Sequence, residues 1–109
     1  MKRINLEIEG IPVLLEFSSH AQQRLAERGV SHYEAASLIL KLGENILDLK
    51  SGEEFGVIDR DLEIGLVCSV SVLDVDIFID VITVLQGERI YFSKGMKVIG
   101  FEEAWEKIS

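Results

Sequence analysis

Residues 62–85 read LEIGLVCSVSVLDVDIFIDVITVL, and their alternation of apolar with polar or small residues sets the fold class. Leu62, Ile64, Leu66, Cys68, Val70 and Val72 are apolar, while Glu63, Gly65, Val67, Ser69 and Ser71 stand between them. Successive side chains of a strand point to opposite faces, so this period of two predicts a strand with one face in the core. In the following run Val75, Ile77, Ile79, Val81 and Leu85 share a face, and Asp76 and Asp80 take the other. Ile82 and Val84 are apolar on that second face, which predicts cover on both sides of the strand's later half. Shorter strands are expected at 46–50, 54–59 and 88–93, bounded by Ser51-Gly52, Asp59-Arg60-Asp61 and Gln86-Gly87. With no helix between them, these runs predict an antiparallel meander.

Upstream, INLEI (4–8) and IPVLLEF (11–17) flank Glu9-Gly10, the signature of a hairpin with a two-residue turn. Pro12 then belongs near a strand start or on an edge, because it cannot donate to a ladder. Two helices follow. Ser19 with Gln22 forms one capping-box pattern and Ser31 with Glu34 a second, while Gly29 and Gly43 supply the stops. Helices are therefore expected over 19–28 and 32–42, the second turning Ala35, Ala36, Ile39, Leu40 and Leu42 toward a sheet. Phe101, Ala104, Trp105 and Ile108 add a short amphipathic helix at the C-terminal end. The class is α+β: two helices of the N-terminal half packed on an antiparallel sheet.

The 109 residues are 48% hydrophobic and 28% charged with a single Pro, which fits one globular domain over 1–109 and excludes a disordered chain. One Cys excludes an internal disulfide framework. The longest uncharged run, Ile64–Leu73, has ten residues, about half of the ~20 a spanning helix needs. Asn5, Glu7 and Glu9 interrupt any apolar leader, so the chain is expected in the cytoplasm, away from membranes.

Eleven Lys and Arg against nineteen Asp and Glu give a formal net charge of −8, unfavourable for tracking a phosphate backbone. Residues 1–50 carry six basic and seven acidic side chains, and residues 51–109 carry five and twelve. A local basic face is thus confined to the first half.

The familiar catalytic signatures are mostly missing: no phosphate-cradling Gly-rich loop, nucleophile elbow, paired CxxC or HExxH occurs. Asp74, Asp76 and Asp80 have the spacing to share a strand face around a divalent cation, against the simpler role of keeping a sheet face wet. Cys68 falls on an all-apolar face and reads as a small hydrophobe. No cofactor is implied.

One constellation stands out. His20, Arg24 and Arg28 are spaced i, i+4, i+8, drifting only about 40° per step, so they form one stripe on the first helix. Two guanidinium forks on such a stripe can hold a phosphate, with an imidazole placed for proton transfer near neutral pH. The structural alternative is equally concrete: Arg28 favours the helix dipole, Arg24 reaches Glu16 or Glu27, and His20 bonds a neighbouring strand.

The stretch FSSHAQQRLAERGVS (17–31) resembles the opening helix of a bacterial and phage small-domain family with the pattern H-A-x-x-R-x-x-x-R-G followed by an apolar residue. His20, Ala21, Arg24, Arg28, Gly29 and Val30 match it, and VITV (81–84) resembles that family's final core strand. The family is grouped with RelE/ParE-like toxins. The resemblance implies two helices on a curled antiparallel sheet, with the N-terminal hairpin and the C-terminal helix as additions. It also implies a toxin-like protein of a toxin–antitoxin or phage-related system, a metal-independent endoribonuclease if it follows the RelE-like members, whereas ParE-like relatives act on a topoisomerase and many members of the wider family have no established activity. In that chemistry the ribose 2′-hydroxyl attacks the adjacent phosphate, Arg24 and Arg28 stabilise the developing charge, and His20 exchanges a proton. Arg89, Tyr91 and Lys94 would add an RNA-stacking and phosphate-binding edge.

The acidic balance departs from the basic character usual for toxins of this fold. It supports a second reading, a noncatalytic interaction protein such as an antitoxin, immunity protein or phage accessory factor that binds a basic protein. The expected partners are accordingly a cognate protein or RNA, with a homodimer through an edge strand or the C-terminal helix as a further expectation.

Overall fold

Residues 2–59, 63–86 and 96–100 are described by the computed structural model. The chain opens with β1 (Lys2–Ile8) and β2 (Ile11–Phe17), paired antiparallel with Ile8 opposite Ile11. Glu9 and Gly10 between them have φ of 51° and 78°, the two left-handed residues that a tight hairpin turn needs to match strand twist. The closing pair of such a two-residue hairpin is hydrogen-bonded, so alternation puts Pro12, opposite Glu7, in a non-bonded pair. Its missing N–H costs the β1–β2 ladder nothing, as the residue's place in the sequence predicts.

Helices α1 (Ser19–Arg28), α2 (His32–Lys41) and the short α3 (Glu44–Leu47) follow. The Ser31/Glu34 capping box is present on α2, and Gly29 closes α1 at φ 67° with its N–H on the carbonyls of Leu25 and Ala26. The N-cap of α1 is Ser18, one residue before the expected Ser19; its hydroxyl accepts from the Ala21 N–H. Gln22 bonds the Phe17 carbonyl instead of completing a box. The strand expected at 46–50 is replaced by α3 and the turn after it.

Three further strands precede the last described element: β3 (Glu54–Asp59), β4 (Ile64–Leu73) and β5 (Asp76–Gln86), then β6 (Lys97–Gly100). The sheet order is β1-β2-β5-β4-β3-β6. Three of its pairings are antiparallel, but β2 runs parallel to β5 and β3 parallel to β6. This corrects the expected architecture. The chain is not two helices on an all-antiparallel RelE/ParE-like sheet with a hairpin appended; among the described residues it is a strand-dominated mixed α/β fold with a six-stranded sheet and three short helices. Alternation reports which face a strand buries and is silent about which strand lies beside it. The N-terminal hairpin is therefore integral, with β2 in the sheet's interior. The strand expected at 88–93 and the helix expected over 101–108 lie outside the described residues.

The core lies on one face. Val13, Leu15 and Phe17 of β2 meet Ile77, Ile79 and Val81 of β5, and with Leu66, Cys68 and Val70 of β4 they pack under Leu25 of α1 and Ile39 of α2. Helix α2 touches both β1 and β3, which stand toward opposite sides of the sheet, so the sheet curves round it.

A register shift falls between Val67 and Cys68, where Cys68 pairs with Val81 but Val67 pairs with Thr83. Ile82 is thus the extra residue of a β-bulge. Beyond it the parity of β5 switches, so Val84 is buried opposite Leu66 while Ile82 is left 38% exposed. The apolar residues expected on a second covered face are explained by this switch.

Candidate functional site

The bulge in β5 also positions α1. Ser18 donates its backbone N–H to the Val81 carbonyl (3.2 Å) and its hydroxyl to the Ile82 carbonyl (2.9 Å), while the same oxygen caps the helix. One serine therefore fixes where α1 starts and against which part of β5. Two residues on, His20 Nε2 lies 2.9 Å from Thr83 Oγ1, so the imidazole is joined to the strand beside the bulge.

The rest of the stripe is likewise engaged within the molecule. Arg24 pairs with Glu27 at 3.2 Å. Arg28 donates to the Arg24 carbonyl at 3.3 Å and stands 3.8 Å from the same Glu27 carboxylate. Its side chain is only 14% exposed, and its Nε is buried with no partner among the described residues. Glu27 thus sits between the two guanidinium groups and neutralises much of the charge a phosphate would need. All three residues lie on α1, where His20 meets Thr83 of the neighbouring strand, Arg24 meets Glu27, and Arg28 meets the Arg24 carbonyl and Glu27. Arg89, Tyr91 and Lys94 lie outside the described residues.

The chain matches no family model, no curated protein and no solved structure.

Other candidates resolve simply. Cys68 is fully buried, and burial, with a smaller contribution from the Asp80 carboxylate, pushes its thiol far above the ordinary range. It packs as a hydrophobe and does not present a thiolate. Among the described residues no group of His, Cys, Asp and Glu has a metal-binding arrangement, the Asp74, Asp76 and Asp80 set included. Nor is any described helix long and apolar enough to cross a membrane.

The face of the sheet turned away from the helices is a different matter. Across it runs a row in which Arg3 faces Glu16, Glu16 faces Asp80, and Asp80 faces Ser69. The Arg3 Nε lies 3.4 Å from Glu16, whereas Asp80 is exposed. Next to it runs a second row, Asn5, Leu14, Phe78 and Ser71, in which Leu14 and Phe78 are only half-buried. A groove of about 410 Å³ opens here, lined among others by Asn5, Pro12, Leu14, Phe78 and Asp76. At its end the β4–β5 turn projects Leu73 (63% exposed) and Val75 (71%) among Asp74 and Asp76. Sequence reasoning placed Asp76 and Asp80 on a wet face but missed Leu14, Glu16 and Phe78. Their juxtaposition depends on the parallel β2–β5 pairing, for which the sequence carries no local signal.

Proposed function

We propose that this chain is a noncatalytic acidic interaction protein, of the antitoxin, immunity or accessory-factor kind, which docks a basic protein segment on the open face of its sheet. The observation that carries this reading is the pairing of Glu16 with Asp80 beside the half-buried Leu14 and Phe78. Like charges directly opposite in a ladder oppose folding. Arg3 already meets Glu16, and a Lys or Arg delivered by a partner beside Asp80 relieves the rest of that repulsion, while its apolar neighbours fill the groove. The net charge of −8 adds long-range attraction for such a segment. The stripe on α1, with His20 bonded to Thr83 and Glu27 set against both Arg24 and Arg28, supports the same reading, because that carboxylate offsets part of the positive charge an RNA phosphate would meet.

The test is titration of isotope-labelled protein with a synthetic peptide alternating Lys and Leu, alongside a Glu-for-Lys control. Amide shifts should concentrate at Leu14, Phe78, Asp76 and Asp80, the control should be silent, and Asp80→Lys should weaken binding by about tenfold or more. Shifts scattered elsewhere would count against the docking face. Growth arrest with RNA cleavage on expression, abolished by Arg24→Ala/Arg28→Ala at equal protein level, would replace it with the endoribonuclease expectation.

A further inference from the structure

Among the described residues, no strand pairs with the outer edge of β1. Strand β1 closes one side of the sheet and has β2 as its sheet neighbour, leaving seven residues with no Pro and no bulge along the other side. Sheet edges are ordinarily blunted by such devices, because an open row of N–H and C=O groups is a template for another strand. In the hairpin with β2 the closing pair Ile8–Ile11 sets the alternation: even-numbered residues of β1 point their backbone groups at β2, and Arg3, Asn5 and Glu7 point theirs outward.

We infer that two copies of this chain associate through β1, antiparallel and centred on Asn5, so that Arg3 of each copy stands opposite Glu7 of the other. The register follows from charge and parity. Centring on Asn5 sets odd residues against odd and even against even, which keeps both helical faces on the same side of a continuous sheet. It also places unlike charges opposite each other twice. Centring on Ile4 sets Arg3 against Asn5, and centring on Leu6 sets Asn5 against Glu7, so each loses both charge pairs.

Two further features fit this register. Arg3 offers Glu16 its Nε, and no other acceptor meets its terminal nitrogens among the described residues, so they remain for a second carboxylate. Glu7 is exposed and has no ion pair among the described residues. On the helical side, Ile4 and Leu6 are only partly buried against the core. Each would lie opposite the other across the axis, completing the burial that the edge leaves unfinished. Arg3, Asn5 and Glu7 would each donate and accept in the new ladder.

The groove shares Asn5 with this edge, but its occupation is read from shifts at Leu14 and Phe78 in either association state, and the dimer from sedimentation. Sedimentation of the full chain over a concentration series tests it, together with three variants. The wild type should be dimeric at micromolar concentration, and Glu7→Arg should raise the dissociation constant by about tenfold or more. Asn5→Pro removes an outward N–H while leaving the bonded pairs with β2 intact, and should give a monomer with native circular dichroism. Asn5→Cys should form an intermolecular disulfide on mild oxidation, since bonded antiparallel partners stand about 5.5 Å apart at Cα, within disulfide reach; Gln23→Cys, on exposed α1, should not. If Asn5→Pro fails to fold, the Asn5→Cys cross-link decides. A wild type monomeric at hundreds of micromolar overturns the inference, as does a dimer that Asn5→Cys does not cross-link.

Discussion

His20 Nε2 and Thr83 Oγ1 lie 2.9 Å apart across 63 positions of sequence. This bond joins the first turn of α1 to the strand just past its bulge, and it occupies the one imidazole that the α1 stripe contains. Because it is exposed, its net contribution is small, about 0.5–1 kcal/mol. His20→Ala and Thr83→Ala should each cost about that much, and the double variant should cost less than their sum. A urea-denaturation double-mutant cycle checks the coupling.

Ser18 should matter far more than Ser19, although the two are neighbours of the same type. Ser18→Ala removes both the cap on Ala21 and the bond to the Ile82 carbonyl, and should cost about 1–2 kcal/mol. Ser19→Ala should fall within about 0.5 kcal/mol of wild type. Denaturation midpoints of the two variants, measured side by side, give the comparison.

The two arginines of the stripe should separate in the same way. Arg24 is 44% exposed in an i, i+3 pair, so Arg24→Ala should cost under about 0.5 kcal/mol. Arg28 packs its stem into the domain at 14% exposure, and Arg28→Ala should cost about 1–2 kcal/mol through lost packing as well as lost charge. Thermal melts of both variants read this out.

Cys68 gives the chain an alkaline limit. Its thiol stays protonated in the fold above the ordinary value of 9.0, so the unfolded chain binds fewer protons there than the native one. Stability contributed by this group is complete below that value and falls as the pH rises beyond it, by about 1.4 kcal/mol per unit. Denaturation at pH 8 and pH 10 should show a steeper loss for wild type than for Cys68→Val. A thiol reagent at pH 8 should modify Cys68 only on unfolding.

How much of this the sequence discloses depends on the range of the interaction. The Ser31/Glu34 capping box and the Gly29 stop are settled within a few residues and are legible. So are β4 and β5, whose alternation runs for ten or more positions. Ser18 and Ser19 are locally interchangeable, and the choice is made by a carbonyl on β5. Ile46, Leu47 and Leu49 satisfy a strand pattern as well as a helical one, and packing decides for α3. The stripe on α1 was legible as a stripe, but Thr83, its distant partner, was not. The groove on the open sheet face was hidden for the same reason, since Leu14 and Phe78 meet through a parallel pairing that no turn residue announces.

That parallel pairing also sets an order of events during synthesis. The β1–β2 hairpin is made first, yet its lateral neighbour β5 arrives 64 positions later, measured from Ser18 to Ile82. The β4–β5 hairpin closes locally and fast, whereas docking β2 against it must first bring distant parts of the chain together. Until then the side of β2 turned away from β1 has no strand to pair with. The ribosome-bound chain therefore exposes that side to mispairing until residues 77–81 have been made, and the β2–β5 pairing spans the largest sequence separation of the described strand pairings.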